Sequence, residues 1–346
     1  MASLLPLPLM RPSQLIVALV LVAQPASAQY AITSTKVLGG EGGWDYVIPD
    51  ARRHRLFIAR QNRVMVVDER DGHLLGEVPG IHGAHGVAIV EKAGRGYATS
   101  SEDSSIYAFD LNTLQVVGRV RADDDADAII YDPPSGRVFS FNGDAHNATV
   151  VDGRSGKLLR NILLGGKPES GVSAGNGRVY VNLVDTSQVV ELDSKSMLVL
   201  RRWSTLPCKQ PVAMAIDVKH SRLFSGCRSG VAAISDIATG TVIATVPIGQ
   251  GVDGAAYDPS TRDAFFSNAD GTVTVVHERS LDSYSVTQTL TTIERGRNMG
   301  LDPVSHHLFV VGARFGPVPA ESTATNPRRR PPMLPGTFTL LTIQRR

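Results

Sequence analysis

An aspartate that closes a short apolar strand returns along this chain at nearly constant spacing. It ends Val66-Val67-Asp68, Ala108-Phe109-Asp110, Val150-Val151-Asp152, Glu191-Leu192-Asp193 and Ile234-Ser235-Asp236, at intervals of 42, 42, 41 and 43 residues. A sixth copy, Val275-Val276-His277, follows 41 residues later with His in place of Asp. Self-similarity at this period marks a chain of repeated units, none of which can bury its apolar face alone.

Each unit reads as four strands and three turns. In the third, the turn Asp132-Pro133-Pro134-Ser135-Gly136 leads to Arg137-Val138-Phe139-Ser140-Phe141, then a polar loop, Thr149-Val150-Val151-Asp152, and Leu158 to Ile162. Short β-branched and aromatic runs punctuated by Gly, Pro, Asn and Asp are strand signals, and no segment beyond the N-terminus sustains a helical period. Four strands in 40 to 45 residues is the pattern of a propeller blade. Inner strands begin near Asp45, His85, Asp127, Glu169, Val212, Asp253 and Arg297. The expectation is an all-β, seven-bladed β-propeller with four-stranded blades, a single domain over residues 29–346. The last unit is one strand short, and Ile32 to Leu38 can complete it, closing the ring and removing open sheet edges.

Tyr180-Val181-Asn182, Leu56-Phe57-Ile58-Ala59, Val-Val-Asp strands followed by Arg154-Ser155-Gly156-Lys157, Ala238-Thr239-Gly240-Thr241 after Asp236, and Val246-Pro247-Ile248-Gly249 carry a resemblance. The chain resembles the YVTN-repeat, YncE-like bacterial β-propellers over residues 30–343. The resemblance implies the fold and, chiefly, a non-catalytic periplasmic binding protein. Function still has to be argued from the site, because sites are grafted on folds. The family's Gly-x-x-Pro-x-Gly entry to the inner strand is here mostly replaced by charged residues or His.

Composition narrows the partners. The net charge is +2 and aromatic residues make up 6 %, with no interleaving of basic and aromatic residues, so nothing indicates nucleic acid. Met10-Arg11-Pro12, the apolar stretch Leu15 to Ala23 and Ala26-Ser27-Ala28 read as a secretory signal peptide over residues 1–28, cleaved after Ala28. The apolar stretch is too short to span a membrane. Periplasmic or secreted location follows as an expectation. Cys208 and Cys227, the two cysteines, would then meet an oxidising compartment, either as a disulfide or as a free pair. Their spacing fits neither a zinc ribbon nor covalent haem attachment.

Propellers bind through the face where the inner strands start. The ring there would carry Asp45, Asp127, Glu169 and Asp253 with His85 and Arg297, and Arg60, Glu102, Asn142, Arg228 and Asn268 around it as ligand contacts. His82-Gly83-Ala84-His85 places two imidazoles on one loop. His82, His85 and Asp127, joined by His146 and Asp253, are candidate ligands for a divalent metal ion, since imidazole with carboxylate suits transition metals. The alternative is that these groups are solvated, Asp127 belonging to the acidic run Asp123 to Asp127.

Other motifs fail on context. Gly171-Val172-Ser173-Ala174-Gly175 matches the nucleophile elbow but falls on an inner strand, not a strand-to-helix turn. Gly39-Gly40-Glu41-Gly42-Gly43 has no helix after it to cradle phosphate. Residues 313–336 form a long Pro-rich loop with Arg328-Arg329-Arg330, either a lid over the acidic mouth or a solvated segment.

Two functions remain in view. One is a propeller that binds a small molecule or a protein or peptide on the channel face. The other is a metal-dependent lyase or hydrolase, with His85 or His82 as ligand or base and Arg297 holding an anionic substrate.

Overall fold

The computed structural model describes Met1, residues 29–323 and residues 329–346. The signal-peptide reading lies outside the described residues, as do Pro327 and Arg328 of the long loop. The described residues form twenty-six β-strands and one short 3₁₀ turn, Glu91–Ala93.

The strands make six hydrogen-bonded sheets, five of four strands and one of six. This corrects the expected seven separate four-stranded blades. The first two repeat units share the six-stranded sheet, which runs from Val47–Asp50 to Val116–Arg121. Elsewhere a loop separates successive strands, but here Arg55–Asp68 and Leu74–Val90 stay extended for 14 and 17 residues. Gln61 pairs with Ala84 across what the repeat spacing reads as a boundary. Gln61, at a left-handed φ of 40°, and register shifts between Gln61 and Arg63 and between Ala84 and Val87 mark the bends in these long strands. Bulges of this kind let one strand change direction without losing its partners.

The last sheet takes its outer strand from the other end of the chain. Tyr30–Val37 pairs antiparallel with Thr339–Arg345, from Tyr30 against Arg345 to Val37 against Thr339. N- and C-terminal segments therefore close the ring together.

Burial follows each strand's place in its sheet. In the sheet from Pro168 to Ser204 the middle strands, Arg178–Leu183 and Gln188–Asp193, are almost wholly buried. Its outer strand Leu198–Ser204 alternates with solvent. Middle strands pack on neighbouring sheets with both faces, which is why they read as continuous apolar runs rather than alternating ones. Phe139, Phe141, Val179 and Val181 form one such inter-sheet core.

The repeated aspartate has a local cause. Asp110, Asp152 and Asp193 each turn Oδ1 back to the backbone N–H groups two and three residues on. Asp236 receives Thr239 N–H and Asp68 receives Arg70 N–H in the same way. These Asx turns end the third strand and start the outer one. Where His277 stands in the sixth copy there is no such turn, and the strands Thr272–Ser280 and Ser283–Thr291 each run on to nine residues. His277 instead bonds Asp263 through Nδ1 at 2.8 Å. Cys208 and Cys227 are joined in a disulfide, their Cα atoms 5.5 Å apart and both residues fully buried.

Candidate binding site at the channel mouth

Inner strands of every sheet line a central channel with a cavity of about 400 Å³. Its wall is mostly small and aliphatic, with Val47, Ile48, Val87, Ile129, Val172, Met214, Ala255 and Leu301 among the lining residues. Tyr46 and Asp253 stand towards one end and Tyr257 and Pro303 towards the other. The charged groups gather where the inner strands begin.

The centre of the cluster is His85, held in the long strand Leu74–Val90. Its Nδ1 lies 2.6 Å from Asp45 Oδ2 and 3.4 Å from Asp127 Oδ1, and its Nε2 lies 3.0 Å from Ser101 Oγ. Burial pulls the imidazole pKa down. The hydrogen bond to Asp45 and the charges of Asp127, Asp45 and Asp125 outweigh it and hold the group at about 9. His85 is thus an imidazolium at neutral pH, and its proton must leave before it can act as a base or a metal ligand.

Asn298 ties the ring together. Its amide donates to Asp45 Oδ1 at 2.9 Å and to Asp253 Oδ2 at 3.1 Å. Arg297 Nε sits 3.2 Å from the same Asp253 oxygen, and Arg228 reaches Glu169 at 3.0 Å. Burial raises Asp253 to about 7, Arg297 opposing the shift and Asp45 and Glu169 adding to it. Burial likewise lifts Asp127 well above the usual carboxylate range, with Asp45 pushing the same way and His85 against it. Tyr46 lies among all four carboxylates: burial, then Asp127, Asp45, Asp253 and Glu169, drive its phenol upward. Its hydroxyl makes one long hydrogen bond, 3.5 Å to the Glu169 carbonyl.

Acceptors outnumber donors in this arrangement. Asp127 Oδ1 and Asn298 Oδ1 are both buried and accept no hydrogen bond within the described residues. An unpaired buried acceptor costs about 1–3 kcal/mol, so such atoms favour an incoming donor.

The structure brings together Asp45, His85, Asp127, Glu169, Asp253, Arg228 and Arg297 and separates the others. His82, His146 and Glu102 are exposed, and none of them belongs to the group of potential metal ligands around His85. Arg60 is fully buried: its guanidinium donates to the carbonyls of Gly39, Glu41, Gly42 and Gly43 at 2.8–3.3 Å and stacks 3.7 Å from the Phe338 ring centroid. It pins the glycine-rich crossing and offers nothing to a ligand. Asn142 and Asn268 are also enclosed, bonded to Asn147 and Thr149 and to Thr272 and Thr274. Ser173 Oγ donates to Asp132 and ends the strand Pro168–Ser173, with no helix after it to form a nucleophile elbow.

Sequence reasoning missed Tyr46, Ser101 and Asn298. Tyr46 and Asn298 each sit one residue past a predicted ring position, so a two-residue window at every strand start would have included them. The long loop flanks the mouth. Phe315 bridges to Met333 and packs on Trp44, with ring centroids 6.0 Å apart. Phe315, Arg330 and Met333 join Trp44, Arg297 and Asn298 around a second cavity of about 580 Å³.

No family model matches the chain, and no curated protein matches it. Among solved structures it is similar to the crystal structure of the RRP9 WD40 repeats, with a TM-score of 0.76, 9 % identity, and 92 % of this chain and 100 % of that chain covered. At that identity the likeness shows the fold alone: this chain is a β-propeller of WD40-like architecture.

Proposed function

We propose that the protein is a binding module that takes a cationic, hydrogen-bond-donating group of a partner, a Lys or Arg side chain of a protein or peptide or the amine of a small molecule, at the channel mouth. The observation that carries this reading is the surplus of buried acceptors, Asp127 Oδ1 and Asn298 Oδ1, within a ring of four carboxylates. An ammonium or guanidinium there satisfies both oxygens and adds positive charge where carboxylates exceed cations. Its stem would rest against the aromatic wall of Trp44 and Phe315.

The partner meets the protein in the periplasm or outside the cell on this reading. The leader-like residues 1–28 support it, as does the buried disulfide, a bond kept in oxidising compartments. The YncE-like motifs agree with such a role.

A second reading, a divalent metal held by Asp45, His85 and Asp127, rests on one observation: a ligand atom from each lies within 4.8 Å of the others. The donor set fits a transition ion, but the surrounding carboxylates hold the His85 proton up to about pH 9, and an ion would have to displace it. The binding reading leaves that proton in place.

Fluorescence anisotropy with labelled peptides bearing Lys or Arg, against matched neutral peptides, tests the proposal. Binding of the basic peptides that weakens at least about tenfold in Asp127→Asn/Asp253→Asn, and falls with salt, is expected. Equal affinity for neutral peptides, or no effect of the double substitution, would overturn it.

A further inference from the structure

The face opposite the mouth holds a second group of charged side chains that neither the repeat pattern nor the mouth explains. Asp217 ends the inner strand Pro211–Asp217, His220 lies in the turn after it, and Glu278 comes from the strand Thr272–Ser280 of the next sheet. Both carboxylate side chains are only 2 % exposed, while His220 keeps 24 % of its side chain in solvent. His220 Nδ1 lies 2.6 Å from Asp217 Oδ2 and 3.4 Å from Glu278 Oε1. Tyr257 Oη lies 2.9 Å from both Asp217 Oδ2 and Glu278 Oε2.

A neighbouring site shows what is unusual here. Asp263 is also buried and also faces one tyrosine and one histidine, Tyr30 Oη at 2.7 Å and His277 Nδ1 at 2.8 Å. One carboxylate there meets two protons, each on its own oxygen, and the account closes. The Asp217 group has the same two side-chain donors, one tyrosine O–H and one histidine N–H, but two carboxylates; the backbone N–H groups of Lys219 and His220 add donors at 3.0 and 3.2 Å, and these reach Asp217 Oδ1 alone. Tyr257 has a single proton and cannot donate to both. Neither carboxylate has a Lys or Arg ion pair among the described residues, whereas buried Glu191 has both Arg178 and Arg201. Two buried carboxylates that share one partly exposed imidazole are disfavoured unless a further cation joins them.

We propose that Asp217, His220 and Glu278 form a zinc site, with Tyr257 hydrogen-bonded to a ligating carboxylate and solvent completing the coordination. A doubly charged ion neutralises the two carboxylates, and neutral imidazole with two carboxylates is a zinc donor set. One ligand atom from each of the three residues lies within 4.8 Å of the others. The 2.6 and 3.4 Å separations lie within an ångström of the roughly 3.3 Å between ligands of a tetrahedral ion bound at about 2.0 Å. The proton on His220 Nδ1 leaves that nitrogen as the metal arrives, which makes binding weaker in acid. The partly exposed imidazole gives the path in.

Zinc titrated by calorimetry into chelator-treated protein, followed by metal analysis after desalting, tests the site. One equivalent is expected in the wild type and in His85→Ala, with affinity at least about 100-fold lower in His220→Ala, since a ligand is lost. His220 is partly exposed, so its alanine variant does not depend on core repacking. Glu278→Gln is expected to lose the metal yet melt no lower than the metal-free wild type, because its amide supplies the missing donor. No zinc in the wild type, or zinc retained in His220→Ala, would overturn the site. Loss in His85→Ala alone would assign the ion to the channel mouth and overturn it equally.

Discussion

The two ends of the channel solve the same electrostatic problem in different ways. At the mouth four carboxylates share His85, Arg228, Arg297 and the amide of Asn298, and solvent reaches most of them. At the far end two carboxylates are shut in with one imidazole, one phenol and two backbone N–H groups that serve Asp217 alone. The mouth can stay open to a visiting cation because its own charges are largely paired. The far end has no such reserve, so it must hold its cation as part of the structure.

The two channel tyrosines give the sharpest way to break this comparison. Tyr257→Phe removes the donor that bridges Asp217 and Glu278, leaving buried acceptors without it, and is expected to cost the metal-free protein about 3 kcal/mol. Tyr46→Phe removes one 3.5 Å hydrogen bond and is expected to cost less than about 0.5 kcal/mol. Denaturant melts of both variants under chelator measure the difference. Equal costs would mean that the far carboxylates are not short of donors.

The pH dependence tests the mouth next. His85 is held above its unfolded value, so its contribution is fully present below pH 6.5 and is lost as pH rises through about 9. About 3 kcal/mol is expected to disappear over that window, and Asp45→Asn should flatten the slope. Asp253 behaves differently. Its pKa is raised to about 7, so between about pH 4 and 7 the folded protein binds the extra proton and stability falls as pH rises. Asp253→Asn is expected to remove that decline while leaving the His85 window in place. Melting temperatures from pH 4 to 10 separate the two groups, and a flat wild-type profile would contradict both.

Much of this was legible from the repeat, and the misses have physical causes. The Asp at the end of each third strand is visible because an Asx turn needs a short side-chain acceptor at one place, so five units repeat it. The sheet count was not, because spacing records where strands recur and not whether hydrogen bonding stops between units; Arg55–Asp68 and Leu74–Val90 carry it through. The ring positions Asp45, His85, Asp127 and Asp253 follow from strand starts. Arg60 and Asn142 share that face in sequence, yet side-chain length and local hydrogen bonds turn them into the interior. The far cluster joins Asp217 and His220 to Glu278 of the next sheet, a meeting across 60 residues that no local pattern announces.

The smallest expected effect lies at the rim of the mouth. Arg228 is exposed and pairs with Glu169 at 3.0 Å, and exposed ion pairs contribute only ~0.2–1 kcal/mol because water and salt screen them. Arg228→Ala is therefore expected to leave stability within about 0.5 kcal/mol of wild type while strengthening the binding of a basic peptide, since Glu169 is freed for the ligand. If affinity falls instead, Arg228 contacts the partner directly, and the partner presents an acceptor rather than a cation at that side of the ring. The same anisotropy titration at low and physiological salt reads both the sign and its electrostatic origin.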